Sequence, residues 1–273
     1  MKWKIFLFCF LFLTKSYALA QQSDPGIKSL AALIVNIQND QVFYGKNADK
    51  VLPIASITKL MTAMVILDAR LPADEMITIN KADIDKLKNT SSRLPVGNSY
   101  ARHELLRLAL MSSENRAAAA LGRAYPGGVQ AFIHAMNIKA KQIGMTSSRF
   151  VDPTGLSSHN VATARDLVKL VAAANNYLAI RNFSTTPQHV VAPVKKHGQL
   201  QFTNSNSLVR SQSWEIDVSK TGYLSEAGRC LVMQAKISGQ PIIIVLLNSW
   251  GKNTRIGDAN RIRKWLESNY LIK

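Results

Sequence analysis

Residues 53–68 read PIASITKLMTAMVILD, and this stretch decides the fold because it leads from a loop into an apolar helix. The pattern from Ile57 to Asp68 is helical and mostly apolar, which predicts a helix buried in the core. Ser56 and Lys59, three residues apart at its start, share one helix face. The field of the helix N-terminus and burial lower the pKa of such a lysine, so that a neutral amine can take the serine proton. A lone S-x-x-K is common by chance, however, and taken alone the motif favours the interpretation of Ser56 as a plain N-cap.

The sequence predicts an N-terminal hairpin, a helical middle, a run of strands and a terminal helix. This order of elements indicates an α+β fold. The pattern indicates no repeats and no Pro/Gly-rich linkers. The predicted strands are Ala31–Ile37, Gln41–Gly45, Val190–Val194, Leu200–Thr203, Arg229–Lys236 and Ile242–Asn248. Further helices are predicted over Arg102–Met111, Asn115–Arg123, Val129–Ile143, Thr163–Ala174 and Arg255–Tyr270.

Two further motifs follow Ser56 in chain order. Ser113-Glu114-Asn115 lies in a predicted loop before a helix, and Lys220-Thr221-Gly222 lies just before the strand predicted at Arg229. S-x-x-K, S-D-N and K-T-G occur together in class A β-lactamases and penicillin-binding proteins, which acylate a serine. Here the middle motif reads S-E-N. Each triplet is frequent by chance, but the ordered set in one chain of this length is not.

The sequence resembles the low-molecular-mass penicillin-binding proteins, the family of serine D-alanyl-D-alanine carboxypeptidases and endopeptidases. DPTGL at residues 152–156 and TARDL at residues 163–167 also match, and the resemblance covers about residues 28–268. It implies the β-lactamase/transpeptidase fold, an antiparallel sheet flanked by helices, with a mainly helical lobe at roughly residues 80–180. Residues 21–273 would form a single catalytic domain.

The resemblance also implies the catalytic roles. Ser56 resembles the acylated nucleophile and Lys59 its general base. Ser113 would relay a proton to the leaving amine, and Asn115 would hold Lys59 and the substrate amide. The backbone N–H groups of Ser56 and Tyr223 would form the oxyanion hole, a feature that typically contributes about 3–4 kcal/mol per donor.

The remaining matched residues bind substrate in this resemblance. Lys220 would keep the local potential positive, and Thr221 would hydrogen-bond the carboxylate next to the scissile bond. Gly222 would let substrate backbone pair along its strand. Arg255 is a further candidate for gripping that carboxylate, although a surface helix residue is an equal alternative. No metal or cofactor is implied.

The N-terminus resembles an export signal. Lys2 and Lys4 precede the apolar run IFLFCFLFL, and Ala18-Leu19-Ala20 supplies a cleavage pattern, so we expect residues 1–20 to be removed. The net charge then falls from +17 to +14, because three lysines and no acidic residue are lost. Cys230 is left as the single cysteine, for which a place in the core is the simplest interpretation. The sequence thus predicts an exported, periplasmic protein.

The charge predicts polyanionic surroundings. Loose association with an anionic membrane or wall polymer fits export, whereas no nucleic-acid motif is present. The substrates implied are cross-linked peptides of peptidoglycan, with β-lactam antibiotics as covalent inhibitors.

Several alternatives stay open. A DD-endopeptidase that cuts D-alanyl–diaminopimelate cross-links and a DD-carboxypeptidase that removes terminal D-alanine share these motifs. A class A β-lactamase needs a deacylating glutamate, and no E-x-x-x-N segment stands between the second and third motifs. A non-catalytic wall-binding protein would not need Ser56 and Lys59. A zinc peptidase is excluded because Arg107 stands where H-E-x-x-H, begun at His103, needs its second histidine.

Overall fold

The computed structural model describes residues 24–192 and 198–271. The predicted export signal, residues 1–20, lies outside them. The helices are α1 (Thr58–Asp68), α2 (Arg102–Met111), α3 (Asn115–Arg123), α4 (Gly128–Gln142), α5 (Ala164–Ala174), α6 (Leu178–Ser184), α7 (Ser207–Arg210) and α8 (Thr254–Asn269). The strands are β1 (Ala31–Asn36), β2 (Gln41–Lys46), β3 (Leu52–Pro53), β4 (Met76–Thr78), β5 (Ser99–Ala101), β6 (Val161–Ala162), β7 (Gln188–Val191), β8 (Leu200–Thr203), β9 (Glu215–Leu224), β10 (Gly228–Ile237) and β11 (Gln240–Ser249).

A five-stranded antiparallel sheet in the order β2-β1-β11-β10-β9 organises the molecule. Strand β11 lies in its centre, and residues 242–247 are fully buried because helices cover both faces of the sheet. Side chains alternate between the faces, so that Val232 of β10 joins the core around α1 and Met233 joins the core under α8. The sheet thus has two apolar cores, and β9 forms one of its edges.

Helix α1 forms the middle of the larger core. All its residues from Thr58 to Ile66 are buried, because the helix contacts other helices on several sides. Helices α2, α3 and α4 pack around it, whereas α5 also packs against strands of the sheet. This core runs continuously from the sheet into the helices, which keeps the residues at the start of α1 fixed relative to β9.

The predicted α+β class is confirmed, as are the N-terminal hairpin and the helices of the middle region, with ends that differ by one residue at most. The strand predicted at Val190–Val194 begins two residues earlier, at Gln188, and ends at Val191; residues 193–197 are outside the described part of the chain. Helices α6 and α7 were not predicted.

Lys220-Thr221-Gly222 precedes the strand predicted at Arg229, which is β10, but it does not lie in a connecting segment. The three residues lie inside β9, a ten-residue strand that the sequence reading missed. The reason is chemical: β9 carries Ser219, Lys220 and Thr221 at buried positions, where a core strand usually carries apolar residues.

Within residues 24–192 and 198–271, no helix combines the length and apolar character that crossing a membrane requires.

Candidate active site

Ser56 lies in a tight turn rather than in the first turn of α1. A 3-10 turn over Ala55–Ile57 precedes the helix, and Ala55 has a left-handed φ of 47°. Such a backbone is strained for a residue with a side chain, and surrounding contacts must hold it in place. The helix predicted from Ile57 thus begins one residue later, at Thr58, and Ser56 and Lys59 still face each other.

The amine of Lys59 contacts three oxygen atoms. Its Nζ lies 2.9 Å from the Ser56 Oγ, 2.7 Å from the Asn115 Oδ1 and 2.6 Å from the Thr154 carbonyl oxygen. The Asn115 Nδ2 donates to the Thr90 Oγ1 at 3.0 Å, which turns the amide oxygen of Asn115 toward the lysine. Ser56, Lys59 and Asn115 are thus brought together from separate elements, as predicted.

The protonation of Lys59 is set mainly by burial. The side chain is fully buried, and this lowers the pKa of its amine from the usual 10.5 to about 7. The negative charges of Asp152, Glu114 and Asp85 oppose the shift but do not cancel it. A substantial fraction of the amine is therefore neutral at neutral pH, as a general base requires.

The loop before β5, which contains Thr90, and the loop before β6 both support this amine. In the second of these, the Asp152 carboxylate accepts backbone N–H groups of Thr154, Gly155 and Ser157 at 2.6–3.0 Å. The side chain of Asn160 donates to the same carboxylate at 3.1 Å. These bonds fix the Thr154 carbonyl against Lys59.

Ser113 and Lys220 form the second half of the site. The Lys220 Nζ donates to the Ser113 Oγ at 2.6 Å, and Ser113 has a left-handed φ of 64°. Burial lowers the pKa of Lys220 well below its usual range, and the positive charges of Lys59 and Arg255 lower it further. The two buried lysines therefore repel each other across the site, which favours a neutral form of at least one of them.

Strand β9 forms the edge of the sheet beside this site. A Cβ on Gly222 would lie 2.9 Å from the Ile54 carbonyl oxygen and 3.2 Å from the Ser56 amide nitrogen, so only glycine fits there. The Thr221 Oγ1 contacts the Ser205 Oγ at 2.7 Å, and Tyr223 follows on the same strand with its side chain exposed.

Arg255 lies beside this strand rather than on a remote surface. It stands in the first turn of α8, and its Nη1 lies 3.3 Å from the Gly222 carbonyl oxygen. Its Nε is buried with no partner among the described residues.

The structure thus places all the predicted side chains around one site at the junction of α1, α3 and β9. It adds three residues that sequence reasoning did not single out: Thr90, Thr154 and Ser205. Thr154 lies within the DPTGL stretch, which was noted as a resemblance, but nothing in the sequence marks Ser205. No group of His, Cys, Asp and Glu side chains within the described residues has a metal-binding arrangement.

The sequence profile of the D-alanyl-D-alanine carboxypeptidase family matches residues 18–251. A D-alanyl-D-alanine endopeptidase of Pseudomonas aeruginosa is 45% identical over 96% of this chain and 87% of its own length. A D-alanyl-D-alanine endopeptidase of Escherichia coli is 46% identical over 94% of this chain and 83% of its own length.

Among solved structures, the DD-transpeptidase of Streptomyces K15 superimposes with a TM-score of 0.83 at 30% identity. The superposition covers 89% of this chain and 98% of that one. A D-alanyl-D-alanine carboxypeptidase from the same source is 31% identical over 89% of this chain.

Proposed function

The chain belongs to the D-alanyl-D-alanine carboxypeptidase family, and we propose that within this family it is a peptidoglycan DD-endopeptidase that hydrolyses D-alanyl–diaminopimelate cross-links. It is a serine-type D-Ala-D-Ala peptidase. One observation carries the mechanism: a buried amine with a pKa near 7 lies 2.9 Å from the Ser56 hydroxyl.

Acylation begins with proton transfer. The Ser56 Oγ gives its proton to the neutral Lys59 Nζ and attacks the D-alanyl carbonyl carbon. The oxyanion that forms is held by the backbone N–H groups of Ser56 and Tyr223. When the C–N bond breaks, the proton returns from Lys59, with Ser113 as the relay, to the leaving amine.

Deacylation uses the same groups. Water loses a proton to Lys59 and attacks the ester carbonyl, and the Ser56 oxygen leaves as a hydroxyl. No E-x-x-x-N segment follows the second motif, and the Thr154 carbonyl stands beside Lys59 instead. Slow deacylation of a penicilloyl ester is therefore expected, which fits a peptidase inhibited by β-lactams better than a β-lactamase.

The substrate carboxylate is drawn to the cationic side of the site. The Lys220 Nζ lies 3.1 Å from the Thr221 carbonyl oxygen, and the Arg255 Nη1 lies 3.3 Å from the Gly222 carbonyl oxygen. Thr221 would hydrogen-bond the carboxylate of the leaving residue, and Lys220 and Arg255 would supply the positive potential. Asn115 would receive the substrate amide after Thr90 moves aside.

The endopeptidase assignment rests on similarity. The two relatives at 45% and 46% identity are named endopeptidases, whereas carboxypeptidase relatives reach 31%, 27% and 26%. A DD-carboxypeptidase that trims terminal D-alanine is the second candidate, because the geometry of Ser56, Lys59 and Lys220 serves either reaction.

The deciding experiment incubates the purified enzyme with cross-linked muropeptide dimers and with pentapeptide monomers, with the Ser56→Ala variant as control. We expect the wild type to cleave the dimers and the Ser56→Ala variant to leave them intact. Trimming of monomers alone would reject the endopeptidase assignment, and undiminished hydrolysis by Ser56→Ala would reject the nucleophile. Labelling with a fluorescent penicillin, followed by peptide mapping, should place the adduct on Ser56.

The site of action follows from the substrate. Peptidoglycan lies outside the cytoplasmic membrane, and the signal at residues 1–20 would deliver the enzyme to the periplasm. Loose association with an anionic membrane or wall polymer belongs to the same proposal.

A further inference from the structure

A groove opens at the end of the sheet beside the catalytic edge. Its walls include Tyr223, Ser225, Arg229, Asn248, Trp250 and Lys252, and it encloses about 350 Å³. We call it the Trp250 groove. Its volume is within the range of sites that hold a small ligand or one or two residues of a peptide.

A β-bulge shapes the Trp250 groove. Strand β11 has one more residue than β10 between the pairs Arg229–Ser249 and Leu231–Leu246, and Asn248 in this segment has a left-handed φ of 50°. Bulges bend a strand and redirect its side chains, and they are frequent next to active sites. Here β11 ends at Ser249, beside the start of β10, and Trp250 follows directly with 88% of its surface exposed.

The groove carries the positive charges of Arg229 and Lys252. Within the described part of the chain, no acidic side chain forms an ion pair with Arg229 or Lys252. Glu226, the acidic residue closest to the groove in sequence, is paired with Lys88. The Arg229 guanidinium instead lies 4.4 Å above the ring of Tyr223.

The positive charge of Arg229 in the groove also acts on Arg255, beside the catalytic site. Burial lowers the pKa of Arg255, and the positive charge of Arg229 lowers it further. Arg255 in turn contacts the Gly222 carbonyl oxygen. An anion held in the groove would therefore relieve repulsion among these cations, so that electrostatics favour an anionic occupant.

The position along β9 identifies which part of the substrate reaches the groove. In the proposed function the leaving-side carboxylate lies at Thr221, and the scissile carbonyl points at the Tyr223 N–H. Substrate that pairs along the strand must then continue past Tyr223 on the D-alanyl side, toward Ser225. The Trp250 groove begins there.

We propose that the Trp250 groove binds a free carboxylate of the stem peptide that donates the D-alanyl group, with Arg229 and Lys252 as its cationic partners. This inference rests on the proposed function only for the direction of the substrate along β9. The groove would select stems with free carboxylates over stems in which these groups are amidated. Trp250 would cover the peptide backbone as an apolar wall.

The test compares kcat/KM on two cross-linked muropeptide dimers, one with free carboxylates on the donor stem and one with these groups amidated. The variants are Arg229→Gln and Lys252→Gln, and each rate is divided by the variant's acylation rate with benzylpenicillin to correct for misfolding. Lys264→Gln is the matched control, because Lys264 is also exposed but stands about 15 Å further along α8. We expect each groove variant to lose about fivefold on the free-carboxylate dimer and to change little on the amidated one.

Equal losses on both dimers, or no loss on either, would overturn the proposal. It would also be overturned if the variants kept full hydrolysis and lost only binding to phosphatidylglycerol vesicles, because the groove would then be a membrane contact. Failure of the wild type to cleave any dimer would reject the endopeptidase function instead. The groove would then be tested in the same way on pentapeptide monomers, which contain the same donor stem.

Discussion

The oxygen atoms around Lys59 decide how its amine can act. The Asn115 Oδ1 and the Thr154 carbonyl oxygen can only accept hydrogen bonds. A neutral amine has two hydrogens, which these two acceptors take, and its lone pair then points toward the Ser56 hydroxyl. The site therefore orients the lone pair of Lys59 toward Ser56 and also lowers the pKa of the amine. The protonated amine has a third hydrogen and no lone pair, so it would use the Ser56 Oγ as a third acceptor and could not take its proton.

The pH dependence of acylation follows from the pKa of Lys59. Because burial lowers this pKa to about 7, the amine is protonated below that pH and neutral above it. The acylation rate with a penicillin should rise with pH, by about tenfold per unit below the midpoint, and level off above it. Rapid-mixing measurements with a fluorescent penicillin from pH 5 to 9 check this. A midpoint near 10, the range of an ordinary lysine, would contradict the assigned base.

Asp152 should move that midpoint, since its charge is the largest that raises the pKa of Lys59. In Asp152→Asn this charge is absent, so we expect the midpoint of the acylation profile to fall below 7. The plateau rate should also fall, because the new amide cannot accept every N–H group that the carboxylate holds. Asp49→Asn, a change of the same charge at an exposed residue paired with Arg165, is the control. An unchanged or higher midpoint in Asp152→Asn would show that the loop does not act on Lys59 electrostatically.

At the scale of elements, the site depends on backbone contacts between segments far apart in sequence. The turn at Ala55 is enclosed by the loop around Gly155 on one side and by Gly222 of β9 on the other. The Thr58 Oγ1 donates to the Ala55 carbonyl and accepts from Asn160, which ties the turn to the same loop. The strained backbone before Ser56 is therefore held by its neighbours.

A pair of glycine substitutions tests this support. Gly155 has a φ of 80°, and a Cβ there would lie 2.0 Å from the Ala55 carbonyl oxygen, so Gly155→Ala should displace the turn that carries Ser56. Gly97 has a φ of 90° but no atom within 4 Å of its Cβ position. We expect Gly97→Ala to cost only the backbone strain of about 1–2 kcal/mol. Gly155→Ala should cost more than about 4 kcal/mol and abolish penicillin acylation. Urea unfolding and acylation assays on both variants measure this, and similar losses in the two would contradict the argument.

The elements also show what the sequence could reveal. Helices α2 and α3 were predicted to the residue; α3 shows a helical apolar periodicity that reflects one buried face, and α2 is a run of leucine-rich helix-forming residues. Strand β9 was missed because catalysis requires polar side chains where burial usually selects apolar ones. Ser205 was missed because its contact with Thr221 exists only after the chain has folded. The three motifs indicated the site, while the carbonyl of Thr154 could not be inferred, since a backbone atom has no sequence signature.

At the scale of the whole molecule, the net charge acts in two different ways. The chain carries +17, or +14 without residues 1–20, and most lysines and arginines in the described part of the chain are exposed or half-buried. Lys59 and Lys220, in contrast, are buried, where salt screens their interactions much less. Attraction to anionic surfaces should therefore be sensitive to ionic strength, and the chemistry at Ser56 should be much less so.

This separation predicts the response of the enzyme to salt. The Debye length falls from about 10 Å at 0.1 M salt to about 3 Å at 1 M, which screens the exposed charges. Protein lacking residues 1–20 should sediment with phosphatidylglycerol vesicles at low salt and be released as NaCl is raised over this range. Acylation by benzylpenicillin should change by less than about threefold over the same range, because it depends on the buried lysines. Phosphatidylcholine vesicles are the control, since they lack net charge. Equal binding to both vesicles, or binding that resists 1 M NaCl, would indicate an apolar membrane contact and not attraction of the exposed cations to an anionic surface.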